Sequence, residues 1–117
     1  ADYHYRHEII IYGWKEDGAH YFIGDRTKDS VFEVARPRVS ELHPTMKPIE
    51  LVMQMIENSS GAGEFIYDPF SGSGTTLLAC ENTRRKFMGC ELNAGYSAVI
   101  LQRYLDATGK TPVLLNA

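Results

Sequence analysis

The stretch "EFIYDPFSGSGTTLLACENTRRKFMGCEL" (64–92) decides how this 117-residue chain reads. It opens on "EFIYDPF" (64–70), an aromatic and β-branched run that predicts a strand. "SGSG" (71–74) follows as a tight turn, since glycine takes positive φ without steric cost. "TTLLACENTRR" (75–85) then reads as a helix and "KFMGCEL" (86–92) as a second strand. A strand, a glycine turn, a helix and a strand make one unit of a parallel sheet, whose ligands sit beyond the carboxyl ends of the strands.

Upstream, "KPIELVMQMIEN" (47–58) spaces Ile49, Val52, Met53 and Ile56 at i, i+3, i+4 and i+7, one face of a helix. Pro48 suits its first turn, where a missing N–H costs nothing. Downstream, "NAGYSAVILQRYLDAT" (93–108) reads as a helix with Asn93 as N-cap and Gly109 as its stop. "KTPVLLNA" (110–117) reads as a last strand. This alternation predicts an α/β fold, part of a doubly wound Rossmann-like sheet with helices on both faces. The first residues differ. "HEIIIYGW" (7–14) and "HYFIG" (20–24) flank the Asp-Gly turn of "KEDGA" (15–19) as a β-hairpin would, and "VFEVAR" (31–36) alternates as a further strand. The expected organisation is a strand and hairpin region over 1–40 and an α/β subdomain over 41–117.

The composition, 44% hydrophobic and 23% charged, is that of an ordinary globular chain. No apolar run approaches the roughly 18 residues needed to cross a membrane. A net charge of -3 counts against a dedicated nucleic-acid module, which is usually basic, but not against an enzyme. The two cysteines, Cys80 and Cys90, fit no common zinc spacing and are expected as reduced core thiols of a cytoplasmic protein. The four histidines show no ligand spacing either, so no metal is expected. The sequence lacks an initiator Met, which suggests a piece of a longer protein or a processed one.

Three features converge after the first strand of the glycine unit. Gly72 and Gly74 admit close backbone approach, and the helix that starts near Thr75 offers free N–H groups at the same spot. Glu91 ends the second strand 23 residues after Asp68, where an acid accepts hydrogen bonds from a ribose diol. A triphosphate-cradling loop would need a lysine directly after its second glycine, and Thr75 stands there. A dinucleotide loop would carry a third glycine where this chain has Leu77. S-adenosylmethionine needs the glycines and the acid but no phosphate-binding lysine, and it is the ligand that remains.

"HPTMKPIELVMQMI" (43–56) followed by "DPFSGSGTT" (68–76) resembles the amino-group DNA methyltransferases, which make N6-methyladenine or N4-methylcytosine from S-adenosylmethionine. "FMGCELN" (87–93) fits the acid-bearing strand of the same family. The likeness covers about residues 40–110 and reaches loosely to "RHEIIIYGWK" (6–15). It implies that Asp68 and Phe70 line the cofactor pocket, with Gly72, Ser73 and Gly74 forming the turn beneath it. Thr75 and Thr76 would open the helix and donate hydrogen bonds, Glu91 would hold the ribose, and Asn93 would flank it. Thr45 and Lys47, with His43 nearby, would meet the methionine carboxylate, for which Lys47 is a fitting point cation. Pro69, Ser71 and Leu92 complete the implied cofactor-binding set.

Members of that family carry a tetrapeptide of the form [D/N/S]-P-P-[Y/F] whose aromatic ring stacks on a flipped base. The five prolines here, Pro37, Pro44, Pro48, Pro69 and Pro112, include no adjacent pair. The resemblance therefore implies the second, cofactor-binding half of an enzyme in the β-class motif order, of restriction-modification type. Adenine N6 is favoured over cytosine N4, and DNA is the partner of the complete enzyme. The chain by itself is expected to be inactive and to self-associate through an exposed sheet edge. The competing reading is a methyltransferase-like scaffold without catalysis. Arg36, Arg38, Arg84, Arg85 and Lys86 are either contacts to DNA phosphates or solvated charges.

Overall fold

The structure, a computed structural model, describes residues 2–35 and 46–116. The regular elements run α1 (Ile49–Ser59), β1 (Phe65–Asp68), α2 (Thr75–Thr83), β2 (Lys86–Gly89) and α3 (Ala94–Thr108). Four of the five lie inside the spans predicted for them, and α1 runs one residue past its predicted end at 58, to Ser59. β1 and β2 pair in parallel, with Phe65 opposite Lys86 and Asp68 opposite Gly89. Past the strands the backbones stay joined, since Cys90 N donates to Asp68 O (3.1 Å) and Ser71 N to Cys90 O (2.9 Å). The two carboxyl ends are thus held side by side, and the loops that leave them open on one place.

The core follows from two periodicities meeting. On α1 the apolar stripe predicted from spacing faces inward, with Ile56 buried and Ile49, Val52 and Met53 packed beside it. On the strands, alternation turns Ile66 and Phe87 to the same side, where they meet Ala79 and Cys80 of α2. Enclosure of an isoleucine side chain such as that of Ile56 contributes about 1.5–3 kcal/mol. The other face of the pair, bearing Phe65, Tyr67 and Met88, is exposed.

The helix ends are set by local chemistry. The side chain of Asn93 accepts a hydrogen bond from Tyr96 N (3.0 Å), the predicted N-cap of α3. Gly109 closes α3 at φ 71°, and Pro48 is the residue just before the first turn of α1. The α2 helix stops differently. Arg84 is the one non-glycine residue with positive φ among the described residues, at 58°, and its N–H returns to the last turn. Arg85 then clamps the ends of α1 and α2 together, with Nη2 donating to Ser60 O (2.6 Å) and Nη1 to Thr83 O (2.7 Å).

Three expectations are corrected. Within residues 2–35 no strand forms, although the predicted turn is present, with Gly18 N donating to Lys15 O at 2.9 Å. A two-stranded ribbon is marginal unless a face of it is covered, and Ile9 and Ile11 lie open to solvent. Residues 110–116 likewise form no strand, and Val113, Leu114 and Leu115 are exposed. Cys80 is a core thiol as expected, pushed up to about 11 by burial, whereas Cys90 is exposed because it follows the last paired residue of β2. Among the described residues no helix is long and apolar enough to cross a membrane.

Candidate functional site

A cleft of about 240 Å³ opens at the carboxyl end of β1, between the glycine loop, the start of α2 and the segment before α1. Its walls are Asp68, Phe70, Ser71, Gly72 and Ser73 from the glycine loop, Thr75 and Thr76 from α2, and Met46 and Lys47 from the segment before α1. Asp68 ends β1 and six of the nine follow it within eight positions; Met46 and Lys47 come from the segment just before α1.

The loop is held by side chains of its own neighbourhood. Asp68 Oδ1 accepts from Phe70 N (3.0 Å) and Oδ2 from Thr76 Oγ1 (2.6 Å), so one carboxylate spans the turn from strand end to helix start. Ser71 Oγ donates back to Asp68 O (3.0 Å). Gly74 takes φ 85° and donates to Ser71 O (2.8 Å). That conformation is costly for any residue with a Cβ, and a Cβ there would also stand 3.1 Å from Ile100 of α3.

Glu91 sits beside the cleft and braces it. Its Oε2 accepts from Gly72 N (2.6 Å) and its Oε1 from Asn93 N (2.9 Å). The acid predicted at the end of the second strand is therefore joined to the glycine loop. Leu92 and Asn93 are exposed beyond it and do not line the cleft. Pro69 is exposed next to Phe70, whose ring is 88% accessible at the mouth.

The start of α2 has no side-chain cap, so the first N–H groups of that helix lack the usual internal acceptor. Those orphan donors and the partial positive charge of the helix end favour an acceptor or an anion in the cleft. Lys47 lies at its edge, paired with the Glu8 carboxylate of the N-terminal segment. Thr75 Oγ1 donates to Lys47 O (3.3 Å), tying that segment to the helix start. His43 and Thr45, predicted beside Lys47, lie outside the described residues, as do Arg36 and Arg38. Of the other basic candidates, Arg85 is half-buried and donates to Ser60 and Thr83. Among the described residues no cluster of His, Cys, Asp and Glu is placed to hold a metal.

Sequence reasoning missed four residues of this site. Met46 lines the cleft without any signal beyond its neighbours. Gly89 lets the two loops close up: a Cβ there would stand 2.2 Å from the Phe87 ring and 2.4 Å from Ser71 Oγ. A glycine inside a strand pattern marks such a close approach, so this signal was readable. Glu8 lies 39 positions from Lys47, and no local pattern links them. Arg103, on α3, reaches under the loop to Ser73 O (2.9 Å), but its spacing is that of any surface cation.

The chain is similar to several known proteins. The DNA methylase family, of the N6/N4 type, matches residues 2–102. The type II methyltransferase M.XycI of Xanthomonas campestris pv. cyanopsidis is 36% identical over 101 residues, covering 82% of this chain and 32% of that one. The DNA adenine methyltransferase YhdJ of Escherichia coli K12 is 43% identical over 63 residues, covering 54% of this chain and 21% of the other. Among solved structures, the M1.HpyAVI–SAM complex superposes with a TM-score of 0.66 at 28% identity, over 77% of this chain and 46% of that one. The chain thus spans about a third of M.XycI and under half of M1.HpyAVI. With a family match across most of its length and a glycine loop built as described, the chain belongs to the DNA methylase family.

Proposed function

We propose that this chain is the cofactor-binding part of a DNA methyltransferase that uses S-adenosylmethionine to methylate an exocyclic amino group, adenine N6 in preference to cytosine N4. The observation that carries the reading is the joining of Glu91 to the glycine loop beside an uncapped helix start. Two relatives support its finer points: one similar structure is a complex with SAM, and YhdJ is named an adenine methyltransferase. In this reading residues 41–117 hold the cofactor, and residues 1–40 follow the catalytic part of the whole enzyme.

The donor set fits the cofactor. Glu91, which holds Gly72 and Asn93, is the acid assigned to the ribose hydroxyls. Lys47 takes the methionine carboxylate, with His43 and Thr45 assigned beside it on the family resemblance. Glu8 already presents a carboxylate to Lys47, which shows the cation accessible to such a group, and Glu8 must yield when the cofactor's carboxylate arrives. Asp68 keeps the loop open by spanning it, and the exposed ring of Phe70 forms one wall. Bound S-adenosylmethionine supplies an electrophilic methyl group on its sulfonium. The residues of this chain hold that group in place, while the base and the proton it loses belong to the tetrapeptide region, so the isolated chain is inactive.

Calorimetric titration of the full-length protein with S-adenosylhomocysteine tests the reading. Saturable binding that is lost in an Asp68→Ala, Glu91→Ala double variant is expected, and mass spectrometry of methylated DNA digests should show N6-methyladenine. A folded protein that does not bind would overturn the cofactor assignment. N4-methylcytosine would replace only the base preference, and methyl transfer by the isolated 117-residue chain would refute its inactivity.

A further inference from the structure

We propose that Arg103 of α3 is the positioning residue of the cofactor loop, fixing the Ser73–Gly74 peptide from below so that the cleft keeps its shape. This rests on the cofactor reading above. One guanidinium nitrogen, Nη1, donates to Ser73 O (2.9 Å), Ser73 Oγ (3.1 Å) and Thr75 Oγ1 (3.4 Å). The other end of the same peptide is already engaged, since Gly74 N donates to Ser71 O (2.8 Å). A trans peptide is rigid, so holding its carbonyl and its N–H from opposite sides fixes its plane. Thr75 Oγ1 passes the constraint on to Lys47 O. One side chain from α3 therefore joins three walls of the cleft: the glycine loop, the start of α2 and the segment that carries Lys47.

The placement is not one that stability alone would select. A cation is favourable at a helix C-terminus and unfavourable at an N-terminus, yet Arg103 stands against the first residue of α2. Among the described residues no carboxylate lies within ion-pair distance of it. Arg103 is half-buried, and that partial burial lowers the pKa of the guanidinium from its usual value. Arginine is suited to the task because its rigid guanidinium plane fixes the directions of the two N–H bonds of Nη1, whereas the lysine ammonium is a compact point charge on a flexible stem.

The test is made on the full-length protein with Arg103→Gln and Arg103→Lys, reading S-adenosylhomocysteine affinity, cofactor KM, kcat, DNA KM and thermal midpoint. Arg103→Gln is expected to weaken binding about tenfold or more, the scale of a lost hydrogen bond from a charged group. Cofactor KM should rise in step, while kcat at saturating cofactor and DNA KM hold. Arg103→Lys keeps the charge but reaches less far and loses the fixed N–H directions at Nη1, and should weaken binding about threefold. A residue that served only packing would lower the midpoint and leave the affinity of the folded protein unchanged, and that result overturns the proposal. If Arg103→Gln does not fold, Arg103→Lys decides by the same measure: wild-type affinity overturns the proposal, and a threefold loss upholds it. Failure of the wild-type protein to bind overturns the cofactor reading itself, a different outcome from equal binding by wild type and variants.

Discussion

Residues 7–12, His-Glu-Ile-Ile-Ile-Tyr, and residues 63–68, Gly-Glu-Phe-Ile-Tyr-Asp, have closely similar strand chemistry. The second forms β1 and the first forms no strand. What differs is the company each keeps. β1 receives β2 alongside it through the α2 crossover, and α1 and α2 close over its Ile66 side. The 7–12 stretch has no ladder partner among the described residues, and Ile11 is 95% exposed. Strand propensity describes a residue's fit to a pleated, half-covered surface rather than a backbone preference of its own. Where no surface is offered, the same residues stay irregular.

Three substitutions measure how deep that difference runs, each by urea unfolding of this chain. Ile56→Ala empties a buried position on α1 and should cost about 2–4 kcal/mol, a transfer loss plus a cavity; a cost below about 1 kcal/mol would mean that the ordered layer is loosely packed. Arg85→Ala leaves the carbonyls of Ser60 and Thr83 without their charged donor and should cost about 2 kcal/mol. DNA affinity of the full-length protein should not change with it, whereas a parallel loss would assign Arg85 to the phosphate contacts. Ile11→Ala should shift stability by no more than about 0.5 kcal/mol, as for a solvated side chain. A cost matching that of Ile56→Ala would show that residues 2–35 do find a covering surface in solution.

The five regular elements were legible because each rests on short-range rules. The α1 stripe at Ile49, Val52, Met53 and Ile56, the Asn93 cap and the glycine turn are all contained within a few residues of sequence. The cofactor loop was legible for the same reason, since Asp68, Gly72, Gly74 and Thr76 form one continuous run. Long-range pairings were not. Nothing near Glu8 announces Lys47, and nothing near Arg103 announces Ser73, because their meeting depends on how whole elements pack. The hairpin expectation failed on the same ground: the Asp-Gly turn is local and formed, whereas the ladder needed a partner face that local sequence cannot supply. Cys90 looked like Cys80 in its apolar setting, and only the end of β2 at Gly89 separates the two.

That separation gives the molecule a chemical address. The thiol of Cys80 is sealed in the core, and burial pushes it up to about 11. Cys90 is open to solvent, with the Tyr67 hydroxyl 3.9 Å from its sulfur and Glu91 next in sequence. A thiol-directed fluorophore would therefore discriminate between the two without any mutation. It would attach one residue from the carboxylate that braces the glycine loop, where its emission would follow that loop as ligands come and go.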